Sequence, residues 1–220
     1  MRYLLFLLTG AALLVACKKP NDDPTATGTN LGFAHIKNVR ITVTRLLIGG
    51  SNTPALPNTD SCIVNLRTGK VYALKDGTAN ATNADILYSI SGNAANPDVI
   101  EFASPDSYYN AGLGTPAFDT WLKQWNTLRK TQFQNYYDGI INVSEWANIN
   151  TAADITRVNK DAYEPDNRAT SGSMSMSLLT QKTLFAFITT EGRRGLIKFT
   201  GSGKKTSTLY WVTFDIKIQQ

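Results

Sequence analysis

The chain has 220 residues, a net charge of +5 and 42% hydrophobic content. One histidine and two cysteines are too few ligands for a zinc site built from those residues. No apolar run reaches the about 20 residues that a membrane-spanning helix needs, and a chain of this length can bury its own core without disulfides.

Residues 1–16 read as a secretory signal peptide. Arg2 supplies the positive start, Tyr3 to Leu8 and Ala11 to Ala16 supply the apolar stretch, and a small residue precedes the break. Leu14-Val15-Ala16-Cys17 resembles the lipobox of bacterial lipoproteins, in which the cysteine becomes the acylated first residue. Cys17 is therefore the expected lipid attachment site. Residues 17–30 are rich in Pro, Asn, Asp, Thr and Gly, with too little apolar surface to order themselves, and read as a flexible tether. Residues 31–220 are expected to form one β-rich domain. Lys18 after the cysteine favours the outer membrane over retention at the inner one, with the periplasmic or surface face left open.

Strands open the domain. Val39, Ile41 and Val43 alternate with polar residues. Cys62 to Leu66 and Lys70 to Leu74 follow, with Arg67-Thr68-Gly69 as a hairpin turn. Asp85 to Ile90 and Val99 to Phe102 are two more. An amphipathic helix is expected from Thr115 to about Lys130, with Trp121 and Trp125 on its apolar face. A shorter helix is expected from Thr151, capped by Asp154. Leu184 to Thr189, Leu196 to Thr200 and Leu209 to Ile218 return to strands, with Gly201-Ser202-Gly203 read as the turn before the last. That last strand puts Tyr210, Val212, Phe214, Ile216 and Ile218 on one face and Trp211, Thr213, Asp215, Lys217 and Gln219 on the other. The fold class expected is mainly β, an antiparallel sandwich or partly open barrel with one amphipathic helix and one short helix.

Ser61 to Tyr72, Ala84 to Tyr88, Phe102 to Asp106, Phe185 to Lys198 and Phe214 to Ile218 resemble blocks of an uncharacterised family of β-rich secreted lipoproteins of Bacteroidota. The blocks cover about a third of the chain after Cys17, in the family's order. The resemblance implies a secreted, lipid-anchored β-rich domain and implies no catalytic residue.

Candidate chemistry is sparse. His35 is the one histidine, at the start of a strand with no orienting carboxylate beside it in sequence. Cys62 reads as a small buried core residue. Gly203-Lys204 fails as a phosphate loop, because Lys205 stands where Ser or Thr is needed. Asp161 to Asn167 gathers carboxylates without the spacing of a known calcium loop. Met174 and Met176 would share one strand face, a haem-ligand pattern that core packing explains more simply. From Gln181 onward, seven basic residues face two acidic ones, a surface suited to anionic glycans or lipid head groups, or merely solvated turns. No catalytic, cofactor-binding or metal residue is assigned, and no cofactor or nucleic-acid partner is expected.

The expected function is that of a lipid-anchored cell-envelope protein that binds a ligand, with glycan foremost, rather than an enzyme. Nine Tyr, nine Phe and four Trp provide faces that suit sugar stacking as well as core packing. The alternatives are an envelope hydrolase, a haem-binding lipoprotein or a structural component of an outer-membrane assembly. The membrane, through the lipid, and a glycan or an outer-membrane protein are the partners that follow.

Overall fold

A computed structural model describes residues 32–47, 57–92, 98–110, 121–134, 143–162, 168–169, 171–176 and 184–220. The expected signal peptide, Cys17 and the expected tether lie outside the described residues. Among the described residues, no helix is long and apolar enough to cross a membrane.

The strands are β1 (Phe33–Leu47), β2 (Ser61–Val64), β3 (Val71–Ala73), β4 (Ile86–Gly92), β5 (Val99–Ala103), β6 (Gln132–Gln134), β7 (Arg168–Ala169), β8 (Ser171–Ser175), β9 (Leu184–Ile188), β10 (Arg194–Lys204) and β11 (Leu209–Gln219). Among the elements described in full are two α-helices, α1 (Pro105–Asn110) and α2 (Ala152–Ala162). The strands form one sheet in the order β7-β6-β9-β10-β11-β1-β2-β4-β5-β8, with β3 paired to β2. Neighbours run antiparallel except where the end of β1 lies parallel to β4. The mainly β architecture is the one expected: one open sheet consistent with a partly open sandwich or barrel, mixed rather than wholly antiparallel because of the β1–β4 pairing.

The sheet curls because its aromatic face must be covered. Five rings close a circuit through Phe102, Phe185, Phe199, Phe214 and Tyr88, with neighbouring centroids 5.0 to 6.1 Å apart. Phe102 on β5 touches Phe185 on β9, although five strands separate them in the sheet order. Phe133 on β6 packs edge-on against Phe102 at 5.0 Å. Each buried aromatic contributes on the order of 1.5–3 kcal/mol of burial, and edge-on pairs add about 0.5–1.5.

A bulge in β1 sets its register. Alternation from Val39 alone would turn Ile36 outward. The pairing slips between Ile36 and Val39, so Ile36 faces Ile216 and Val39 faces Phe214 across β11. The extra residue, Asn38, takes φ 58° and donates its N–H to Asp215 Oδ1 at 2.9 Å.

The β2–β3 turn matches its sequence. Asn65 Oδ1 accepts from the N–H groups of Arg67 and Thr68, each at 3.0 Å, and Gly69 takes φ 70°. Cys62 is fully buried, as expected, and burial pushes its thiol far above the usual range.

The helices depart from expectation in one place. Of the helix expected from Thr115, the described part is helical only at Trp121 and Leu122, then turns and runs extended through Lys130. Its apolar residues are buried one at a time by that irregular path: Trp125 and Leu122 enter the core and Trp121 packs against it. Helix α1 begins at Pro105, a position the sequence pattern did not mark. Helix α2 begins where expected: Thr151 Oγ1 accepts from Asp154 N–H at 3.1 Å, and Asp154 Oδ2 accepts from Thr151 N–H at 2.9 Å.

Helix α2 and the 3-10 turn Val143–Asn148 cover part of the sheet's outer face. Trp146, Ile149, Ile155 and Val158 pack on Leu184, Ala186 and Leu196 in a second, smaller core. The polar face of β11 is thus buried at one end, at Lys217 and Gln219, and open at the other.

Candidate functional site

The open end of that outer face carries Trp211. It stands opposite Thr42 of β1 and Gly203 of β10. Gly201-Ser202-Gly203, expected as a turn, is strand instead, and the chain reverses at residues 205–208. The reason lies in the indole. A Cβ on Gly203 would lie 2.8 Å from Trp211 Cζ2, and one on Gly201 would lie 3.3 Å from Cζ3. The two glycines let the ring lie down on the β10 backbone.

Around the ring the face is flat and polar. The Arg40 guanidinium carbon sits over the indole at 4.9 Å from its centroid. Thr200 Oγ1 donates to Thr213 Oγ1 at 3.1 Å, and Thr213 Oγ1 reaches the Gly201 carbonyl at 3.3 Å. Trp211, Thr42 and Thr213 are half-buried, and Arg40 and Thr200 are exposed. Asp215 lies four residues along β11, about 13 Å away at the rise of a strand.

At Asp215 the shelf meets a wall. His35 Nε2 lies 3.8 Å from Asp215 Oδ2, and the imidazole packs edge-on against Trp146 at 5.6 Å. Partial burial, with Lys217 and Lys37 nearby, holds His35 below the usual histidine value, with Asp215 opposing the shift. Among the described residues, no serine or cysteine is bonded to His35 in the way a triad nucleophile would be.

Two other charged clusters serve the fold. Asp98 holds Arg45 Nε at 2.7 Å and Lys204 Nζ at 3.7 Å, and accepts from the Tyr210 hydroxyl. Asp85 accepts from Leu66 N–H at 2.8 Å and from Arg129 Nε at 2.7 Å, while Arg129 also donates to Glu191 at 2.6 Å. Both clusters join segments distant in sequence, and their carboxylates are already engaged.

The remaining sequence candidates scatter. Trp121 and Trp125 face the core, which removes them as an exposed binding surface. Met176 follows the end of β8, half-buried against the core, with its N–H donating to the Asp98 carbonyl at 2.8 Å. Met174 lies in β8, and its side chain lies outside the described residues. Asp161 lies in the last turn of α2, and residues 163–167 of the acidic loop lie outside the described residues. No three His, Cys, Asp or Glu side chains converge to hold a metal among the described residues. Of the basic C-terminal residues, Lys204 and Lys205 are exposed at the β10–β11 reversal, whereas Lys217 is buried.

Sequence reasoning placed Trp211 on the polar face of its strand, within the basic stretch from Gln181 onward, but did not single out its ring. The missed signal was a tryptophan on an otherwise polar face, preceded by a strand carrying Gly-x-Gly. Compared with known proteins, the chain matches no family model, no curated protein and no solved structure.

Proposed function

We propose that this chain is a lipid-anchored protein of the cell envelope, held at the outer membrane through Cys17, whose β-rich domain binds a glycan without transforming it. The observation that carries the binding reading is the half-buried Trp211 indole lying flat on Gly201 and Gly203. A flat aromatic ring flanked by threonine hydroxyls suits a sugar, whose C–H face stacks and whose hydroxyls need partners, once the exposed Arg40 side chain that overlies the indole swings aside. The lipobox and the polar tether support the anchoring: a domain on a flexible stalk reaches ligands beyond the membrane surface.

Two experiments test the two halves. Metabolic labelling with a fatty acid should mark the wild type and leave Cys17→Ser unlabelled; a label that persists overturns the anchor. The mature chain carrying Cys17→Ser should bind glycans on an array and lose them with Trp211→Ala. Signals at background, or signals indifferent to Trp211, overturn glycan binding on the shelf.

A further inference from the structure

Two polar atoms buried without a hydrogen-bond partner belong to nearby strands at one end of the sheet: Thr131 Oγ1 and Arg193 Nη1. The ladders place their residues. Ile188 of β9 faces Gln132 of β6 on one side and Arg194 of β10 on the other. One step further along, Thr131 and Arg193 flank Thr189, whose N–H donates to the Arg193 carbonyl at 2.9 Å. By strand alternation both share the face of Phe133, Phe187 and Gly195, the aromatic inner face of the sheet. Two strand spacings put their backbones about 10 Å apart. An arginine side chain and one small molecule together span that gap. Thr131 is fully buried and Arg193 half-buried. The turn beside Arg193 is open, since a Cβ on Gly192 would meet nothing within 4 Å.

The polar groups around them are spent. Thr189 Oγ1 accepts from Arg193 N–H at 3.3 Å, and the same side chain is hydrogen-bonded to Glu191. Arg129 takes both oxygens of Glu191, at 2.5 and 2.6 Å, and holds Asp85 at 2.7 Å. Among the described residues Arg193 forms no ion pair. Arg194 forms none either, but it stands on the opposite face of β10, and none of its nitrogens is buried without a partner. Of the other buried atoms without a hydrogen bond, Arg45 Nε has the Asp98 carboxylate at 2.7 Å, and those of Tyr88, Trp125 and Asn159 carry no charge.

A buried guanidinium edge needs an acceptor, and its charge needs a counter-ion. Water supplies the first alone. A carboxylate supplies both, with one oxygen for Arg193 Nη1 and the other for the Thr131 hydroxyl. Sulfate or phosphate would bring more oxygens than these donors satisfy, next to Phe133 and Phe187, and would leave some of them unpaired.

We infer that this end of the sheet is a carboxylate-binding site, with Arg193 as the charged donor and Thr131 as the second donor. It lies at the opposite end of β10 from Gly203, so it is separate from the Trp211 shelf and stands apart from the glycan reading. The carboxylate is that of a free short acid or of a chain end entering past Gly192.

The test follows the backbone amide resonances of Thr131, Thr189 and Arg193 in the mature chain carrying Cys17→Ser. The probes are acetate, triglycine, triglycine amide and sulfate, with ionic strength held constant by chloride. Acetate should shift these amides saturably with a dissociation constant of about a millimolar, inside the ceiling for so small a ligand. Triglycine binding more tightly than acetate, with its amide silent, assigns the site to a chain end. Acetate binding at least as tightly as triglycine assigns it to a free acid. Arg193→Gln should abolish the shifts, and Thr131→Val, nearly the same shape, should weaken binding about tenfold. Thermal unfolding confirms that each variant is folded, and Arg193→Lys, which keeps the charge and loses the fork, should bind more weakly than the wild type. Trp211→Ala should leave acetate binding unchanged. Sulfate bound as tightly as acetate, with Thr131→Val indifferent, overturns the carboxylate selection. Shifts by no anion beyond those of chloride show that water alone meets these atoms and overturn the inference.

Discussion

The Lys217 ammonium donates to the carbonyl of Trp146 at 2.6 Å and lies 4.6 Å from the centroid of the same residue's indole. A second bond runs to the Ile149 carbonyl at 2.5 Å. A lysine on the outward face of a strand thus becomes the fastener of the outer layer. It supplies donors to two carbonyls where the 3-10 turn ends: that of Ile149, and that of Trp146, which also accepts from Ile149 N–H at 3.4 Å.

Replacing Lys217 with Met keeps most of the volume, removes the ammonium from both carbonyls and leaves that of Trp146 with the Ile149 N–H at 3.4 Å. The loss should be about 1–3 kcal/mol, the cost of leaving buried polar groups unsatisfied. At about 2–4 °C per kcal/mol for a domain of this size, thermal unfolding should show it readily. Burial, with Lys198 nearby, holds the Lys217 pKa below the ordinary lysine value. The unfolded chain therefore binds the proton more tightly, and this residue's contribution to stability rises with pH through the window below the ordinary lysine value. A variant as stable as the wild type would show that the segment from Trp146 to Ile149 is held without the Lys217 bonds.

Arg129 fastens three segments at once: it meets Asp85, Glu191 and the Thr82 carbonyl. Arg129→Met should cost about 3–5 kcal/mol, because Asp85 is left as an unpaired carboxylate with 1% of its side chain exposed. The deficit should narrow on acidification, as the stranded carboxyl takes up a proton and loses its charge. Denaturant unfolding at pH 7 and pH 4 checks this, and a deficit that widens in acid would contradict it. The double change Arg129→Met with Asp85→Leu should recover part of the loss.

These fasteners explain how much was legible in the sequence. Strands β1, β4, β9 and β11 announced themselves by alternation or apolar runs, because each faces the barrel interior on at least one side. The cap of α2 was legible because Thr151 and Asp154 act locally. The outer layer was not: Lys217 and Gln219 carry no sign that a helix will cover them. Arg129 and Glu191 lie 62 positions apart, and nothing local links them. The helix expected through Lys130 rested on real apolar positions, but Leu122 and Trp125 are buried by a turning chain, which produces the same spacing. Glycine was the most ambiguous letter. At Gly69 it meant a turn, whereas at Gly201 and Gly203 it meant room for an indole, and only the register with β11 separates the two. That ambiguity hid the candidate site.

Gly195 is a third kind of glycine, required by close packing. It pairs with Phe187 across β9 and β10, and a Cβ there would lie 2.1 Å from Phe187 Cζ. Phe187 is fully buried and has nowhere to retreat. Gly195→Ala should therefore destabilise by about 1–3 kcal/mol, despite adding one methyl group to a strand. The paired change Gly195→Ala with Phe187→Leu should be less damaging than the sum of the two singles, since the smaller side chain vacates the clash. Additive losses would mean that the strands, rather than the ring, absorb the strain.

Asp60 gives a test with a defined sign in pH. Its carboxylate accepts from Thr44 N–H at 2.7 Å and from Thr44 Oγ1 at 3.0 Å, and the residue is 3% exposed. Burial pushes its pKa above the usual aspartate value, with the two hydrogen bonds opposing it. The folded chain thus holds this proton more tightly than the unfolded chain does. Between the ordinary aspartate value of about 4 and the raised folded value, the wild type loses stability as pH rises. An asparagine side chain cannot ionise and still offers Thr44 an acceptor, so Asp60→Asn escapes that loss. The stability of the variant relative to the wild type should therefore improve as pH climbs from about 4 towards neutrality, then stay level. Urea unfolding of both proteins across that range measures the difference directly, and other carboxylates cancel in the comparison. A difference that moves the opposite way would mean that the Thr44 hydrogen bonds outweigh burial and that Asp60 is stabilised as the anion.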